Sequence, residues 1–342
     1  MEALKKNKVI LIYTRPWFSD FYKILGLSFE KIFNCKVVFF SDYEMPGTFN
    51  FSPNKRDIPS IDEDLAYKTP LEYYDIIKRD RLLRRIKKDK ALSILNQYNL
   101  NIENFFQQYD VKFVFSATVD QFAIDLCYRY CILNSIPFIG YHMSVIPGYT
   151  LLTARGESMF FRKIDSKEIE ASVNKISPKD FRPDYIPRKN ALTISGIIRV
   201  LKNLIRIPLF FIKDLLSKKY NYHYKWNILG SLLLIRLRNI TPIFKKYEAI
   251  NQDDIFDIYI PLQFHPECNS DYWGRSSRYE SYLQIIINFC YKYADEFRIC
   301  VKEHPNMVGL RPNDFYKELS NIGVTIIDVK EDNKDIIRSS KV

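Results

Sequence analysis

The chain has 342 residues, a net charge of +11 and a pI near 9.1, enough length for two domains and enough positive charge to favour an anionic partner. Hydrophobic residues make up 47%, with 25 Phe and 24 Tyr against 10 Gly, which excludes a disordered or fibrous chain. The cysteines Cys35, Cys127, Cys131, Cys268, Cys290 and Cys300 form no CxxC pair and no zinc spacing, so buried reduced thiols are expected and a metal is not.

The opening "MEALKKNKVILIYTR" has a positive start but an apolar core of only five residues, too short for a secretory signal. A cytoplasmic location is expected. "KVILIYTR" (8–15) reads as a buried strand, "FSDFYKILGLSFEKIF" (18–33) as a helix and "CKVVFFSD" (35–42) as a second strand. Residues 45–64 are loop-like, and the charged stretch from 71 to 108 reads as helical. "VKFVFSATVDQFAIDLCYRYCILNSIPFIGYH" (111–142) repeats strand, helix, strand, the pattern of a parallel sheet covered on both faces.

From 190 to 247 the sequence turns helical, apolar and basic. At 100° per residue, Arg199, Lys202, Arg206 and Lys213 fall within about 60° of one another, with Ile, Leu and Phe over most of the rest. The stripe predicts either an in-plane helix on an anionic membrane, peripheral on its inner face, or a helical subdomain with one solvated edge. These cations also interrupt the longest apolar region, so no stretch reaches the roughly 18 residues needed to span a bilayer.

After "EAINQDDIFD" the α/β pattern restarts: "IYIPLQF" (258–264) a strand, 277–297 a helix, "RICVKEH" (298–304) a strand, 311–322 a helix and "VTIIDV" (324–329) a strand. The fold expected is α/β, with two Rossmann-like parallel-sheet domains (1–160 and 251–342) joined by a helical insert and linker (161–250). The second domain, with three or four strands, reads as incomplete and the chain as truncated.

Two strand ends in this second domain carry polar sets: "QFHPEC", with His265, Pro266 and Glu267, and "VKEHP", with Lys302, Glu303, His304 and Pro305. Carboxyl ends of parallel strands share one edge, so both sets are expected to line a crevice where His304, Lys302 and a helix N-terminus meet a phosphate. The bland alternative is a pair of hydrogen-bonded structural histidines. Acceptor chemistry needs a base, and Asp20, Asp120 and His142 follow strands of the first domain; Arg15 is placed to hold an acidic acceptor. Asp120 also opens a helix and is equally readable as a capping acid.

"YIPLQFHPECNSDYWG" (259–274) and "VKEHPNMVGLRPNDFYKEL" (301–319) resemble the capsule polysaccharide biosynthesis proteins, glycosyltransferase-like proteins of GT-B architecture related to Kdo and sialic acid transferases. The resemblance covers about 85 residues, and a Ser/Thr-Gly-rich loop expected after "IIRSSKV" is absent. It implies transfer of a sugar from a nucleotide-sugar donor, with a CMP-linked acidic sugar as a candidate, to a surface polysaccharide or lipid-linked acceptor. His304 and Pro305 match the dipeptide that meets the donor phosphate, and no metal or other cofactor is implied. A sugar-nucleotide epimerase of similar fold and a non-catalytic paralogue binding anionic partners are the alternatives. No nucleic-acid module is visible, so nucleic acid is not expected as a partner.

Overall fold

The computed structural model describes residues 7–56, 58, 69–146, 148–157, 163–178, 181, 183, 206–229, 249, 254–264, 268–274, 281–307 and 311–342. The chain divides into two compact units. The first comprises Met1–Ser172, Pro208–Gly230 and Asp271–Ser277; the second comprises Val173–Ile207, Ser231–Ser270 and Arg278–Val342.

In the first unit, Val9 to Tyr13 are buried without a break, as expected of a strand covered on both faces, and they form β1 (Asn7–Tyr13) near the middle of the sheet. Helix α1 (Ser19–Phe33) crosses to β2 (Lys36–Ser41) and β3 (Phe49–Asn50). Asn34, at φ 48°, ends α1, since the left-handed conformation stops a helix and asparagine tolerates it.

The stretch from 71 to 108, expected to be helical, forms two helices, α2 (Tyr73–Arg79) and α3 (Lys88–Gln108). The cause is Asp80, whose carboxylate accepts from the backbone N–H groups of Leu82 (2.8 Å) and Leu83 (2.9 Å) and so turns the chain out of the helical ladder. Strand β4 (Tyr109–Ala117), α4 (Phe122–Leu133), β5 (Phe138–Met143) and β6 (Thr150–Thr153) complete the sheet. Its order is β3-β2-β1-β4-β5-β6, all parallel except that β6 runs antiparallel to β5. α1 packs Tyr22, Leu25 and Phe29 on Ile10, Ile12 and Phe115. Helix α5 (Ser166–Ile176) follows, then α6, residues 206–216, and α7 (Tyr222–Leu229). Arg206 and Lys213 of the expected cationic stripe are exposed on α6, whereas Arg199 and Lys202 lie outside the described residues.

The second unit holds a parallel sheet ordered β7 (Ile258–Pro261), β8 (Ile299–Lys302), β9 (Thr325–Ile327). Its helices are α8 (Tyr282–Tyr293), α9 (Asn313–Asn321) and α10 (Asn333–Arg338). Strand alternation sorts the core: Ile299 and Val301 join Ile287, Phe315 and Leu319 on one face, while Cys300 joins Phe256, Ile327 and Ile336 on the other. On the free side of β7, Val342 accepts from the Tyr259 N–H at 2.8 Å and donates to the Asp257 carbonyl at 3.1 Å. The chain is therefore α/β, with a mixed six-stranded sheet and a separate parallel sheet. Among the described residues no helix is long and apolar enough to cross a membrane.

Candidate functional site

In the first unit the chain runs outward from β1 through β2 to β3, then returns beside β1 as β4 and runs out the other way. The carboxyl ends of β1 and β4 therefore flank a switch in strand order, the place where open α/β sheets leave a crevice. Arg15 leaves the end of β1 and Asp120 the end of β4, and they meet in a two-pronged ion pair: Nη1 donates to Oδ2 at 2.8 Å and Nη2 to Oδ1. The Asp120 carbonyl accepts from Arg81 Nη2 at 2.7 Å.

Beneath this pair lies a second polar layer. Tyr13 Oη donates to Asp42 Oδ1 at 2.5 Å, and Gln121 Nε2 donates to Asp42 Oδ2 at 3.0 Å. Burial dominates at Asp42 and raises its pKa, against the lowering effects of the Tyr13 hydrogen bond and the Arg15 charge. Arg81 and Arg85 both lie over the Trp226 ring, 5.5 and 5.3 Å from its centroid.

A tetrapeptide, Asp271 to Gly274, belongs to this unit and closes over the same strand ends. Arg79 Nη1 donates to the Asp271 carbonyl (3.2 Å) and the Gly274 carbonyl (2.8 Å), Arg84 Nη1 donates to Asp271 Oδ1 (3.1 Å), and Tyr272 Oη donates to Asp80 Oδ2 (2.5 Å). Trp273 Nε1 reaches the Val119 carbonyl at 3.3 Å, and its ring meets His142 edge-on with centroids 4.9 Å apart. Gly156 makes room for it: at φ 93°, an added Cβ would stand 2.2 Å from Trp273 Cγ.

The expected acceptor-side residues are thus placed differently from one another. Asp120 is at the switch point with both oxygens engaged. His142 lies on β5 against Trp273, with Nδ1 2.7 Å from the Met143 carbonyl oxygen. Asp20, in the first turn of α1, has its side chain 94% exposed, with Lys23 3.8 Å away as an ionic neighbour.

In the second unit, β8 sends Lys302 and Glu303 to opposite faces. Glu303 is buried and caged: it accepts from Arg311 Nε at 2.5 Å, from Tyr316 Oη at 2.5 Å and from the His304 N–H at 2.6 Å. Arg311 also donates to the Gln263 carbonyl at the end of β7, so this ion pair ties two strand ends to α9. Lys302 donates to Asn333 Oδ1 at 2.5 Å. Burial lowers its pKa, opposed by Asp332, Glu331 and Asp328.

His304 sits at the tip, partly exposed, its ring 5.7 Å from that of Phe264. Pro305 follows at the head of a single turn, Pro305–Met307, closed by the Met307 N–H donating to the His304 carbonyl at 2.8 Å. Burial lowers the His304 pKa, and Arg311 and Lys302 add to this against the raising effect of Glu303. The net effect favours the neutral imidazole. His265, Pro266 and Glu267 lie outside the described residues.

A recess of about 740 Å³ opens at the amino ends of β1 and β4 in the first unit, lined by Asn7, Tyr109 and Asp110 among others, at the opposite end of these strands from Arg15 and Asp120. Among the described residues there is no cluster of three His, Cys, Asp or Glu side chains able to hold a metal ion. Sequence reading does not single out Arg81, Arg84, Asp271 or Tyr272; the arginine spacing in "RDRLLRR" (79–85) is a local signal for the two arginines, and Asp271 and Tyr272 carry none. Set against protein-family models, curated proteins and solved structures, the chain matches none.

Proposed function

We propose that the chain is a glycosyltransferase of GT-B type, moving a sugar from a nucleotide-sugar, with a CMP-linked acidic sugar as first candidate, to a surface-polysaccharide or lipid-linked acceptor. The observation that carries this reading is the exit from β8, where a buried cage around Glu303 holds His304 and Pro305 at a parallel strand's carboxyl end. The resemblance of residues 259–274 and 301–319 to capsule polysaccharide proteins supports it.

The bond from the acceptor oxygen to the anomeric carbon forms as the bond from that carbon to the donor phosphate breaks. The electron pair leaves on the phosphate, toward which His304 directs a neutral ring N–H. The acceptor proton passes to a carboxylate, and Asp120 is the first candidate because its two oxygens stand at the switch in strand order of the first unit. An acidic acceptor that competes for Arg15 frees the Asp120 oxygens for this step. The competing structural reading of "VKEHP" draws on one observation: Glu303 and Lys302 are both engaged by internal partners.

A thermal-shift screen of CMP, UDP and GDP tests the donor site. One nucleotide is expected to raise the melting temperature, by about 2.7 kcal/mol of linkage at a hundredfold excess over Kd, and His304→Ala to abolish the shift. Asp120→Asn is expected to keep the shift while lowering transfer by roughly 10² to 10⁴. No shift with any nucleotide overturns the reading.

A further inference from the structure

Helix α6 is amphipathic in the reverse sense. Its one acidic residue, Asp214, turns inward and is buried, bound by Lys55 Nζ at 3.1 Å and Lys225 Nζ at 2.5 Å. Its apolar residues turn outward: Leu209, Phe211, Ile212, Leu215 and Leu216 are 51, 57, 50, 74 and 77% exposed. At 100° per residue these side chains share one half of the helix, with Lys213 at its border.

The helix cannot roll to hide this face. Just past its end the Tyr220 N–H donates to the Pro53 carbonyl at 2.8 Å, and the Lys55 N–H donates to the Lys218 carbonyl at 2.9 Å. Together with the two lysines on Asp214, these bonds fix the leucines toward solvent. Lys213 and Lys218 are exposed beside the patch, so the surface is apolar with a cationic border.

We infer that α6 is an in-plane membrane-docking helix whose partner is the surface of an anionic bilayer, with Leu209, Ile212, Leu215 and Leu216 entering the acyl boundary and Lys213 and Lys218 meeting lipid phosphates. A lipid surface satisfies both halves of the pattern at once: acyl chains take the leucines and anionic headgroups take the flanking lysines. The inference does not depend on the donor site of the second unit.

The test is flotation of the full chain with phosphatidylcholine vesicles, with and without phosphatidylglycerol, at low and high salt. The protein is expected to float with the anionic vesicles and to be released by salt. Leu215→Asp with Leu216→Asp is expected to weaken partitioning roughly tenfold or more. Lys213→Glu with Lys218→Glu is expected to weaken it by about fivefold per cation. Leu27→Asp, on the exposed side of α1, is expected to leave it unchanged. Because every altered side chain is exposed, circular dichroism and melting temperature should match the parent.

Failure to float with anionic vesicles, equal binding to neutral ones, or indifference to the Leu215 and Leu216 changes would overturn the inference. So would sedimentation showing a dimer without lipid that these two changes dissolve, since the face would then belong to a second copy of the chain.

Discussion

Glu303 reads in sequence as one of three adjacent titratable groups available to a ligand, but its carboxylate is enclosed by Arg311, Tyr316 and the His304 amide. A buried ion pair is worth little net, yet removing one partner strands the other charge in a medium that cannot solvate it. Arg311→Met is therefore expected to cost about 3 to 5 kcal/mol in urea denaturation, whereas Arg311→Met with Glu303→Leu costs markedly less. Equal losses for the single and double changes would show that packing, not charge, sets the effect. His304 makes a pH prediction. Its folded pKa is lowered by burial while the unfolded chain titrates near 6.5, so below that pH the unfolded state binds more protons. The contribution is present above pH 6.5 and is lost as the pH falls toward the folded value. Unfolding at pH 7.5 and 5.5 should show a larger loss for the parent than for His304→Gln. A phosphate ligand opposes this by favouring the imidazolium, so nucleotide affinity should rise over the same fall in pH.

At the scale of elements, Gly156 and the tetrapeptide ending in Gly274 act as latch and catch. Gly156→Ala forces a side chain into a left-handed conformation and into Trp273, and is expected to cost about 1 to 3 kcal/mol. Combined with Trp273→Ala the losses should fall short of additive, as measured in a double-mutant cycle. The strands and helices were largely legible because buried parallel strands appear as unbroken apolar runs: β1, β2, β4, β8 and α1 fall within a few residues of their expected bounds. What resisted reading depends on distant partners. The break at Asp80 needs its own side chain to outcompete a helix, and β6 needs β5 to pair with. The candidate site divides the same way. Strand order brings Arg15 and Asp120 together as an ion pair, which their separate positions after strands do not by themselves reveal, and nothing local reveals that Arg311 caps Glu303 eight residues back or that Tyr272 reaches Asp80.

At the scale of the molecule, the first unit is assembled from three separate stretches of chain. A fragment of residues 1–160 lacks Asp214, Tyr222, Tyr272 and Trp273, leaving Asp80 without its tyrosine and the Gly156 turn without its indole. Such a fragment is expected to give weak amide dispersion and no cooperative melting; a sharp transition would show that the later segments only decorate a finished core. The interlacing also bears on biosynthesis. Domains released in order by the ribosome ordinarily fold one after another, N-terminal first. Here the first unit waits for Tyr272 and Trp273, which follow β7 in the chain, so the nascent protein carries a sheet whose last strand ends at Thr153 while the Asp80 carboxylate and the Val119 carbonyl stay exposed until residue 273 has been made. Slow elongation before residue 274 would lengthen that exposure, and fast elongation would shorten it.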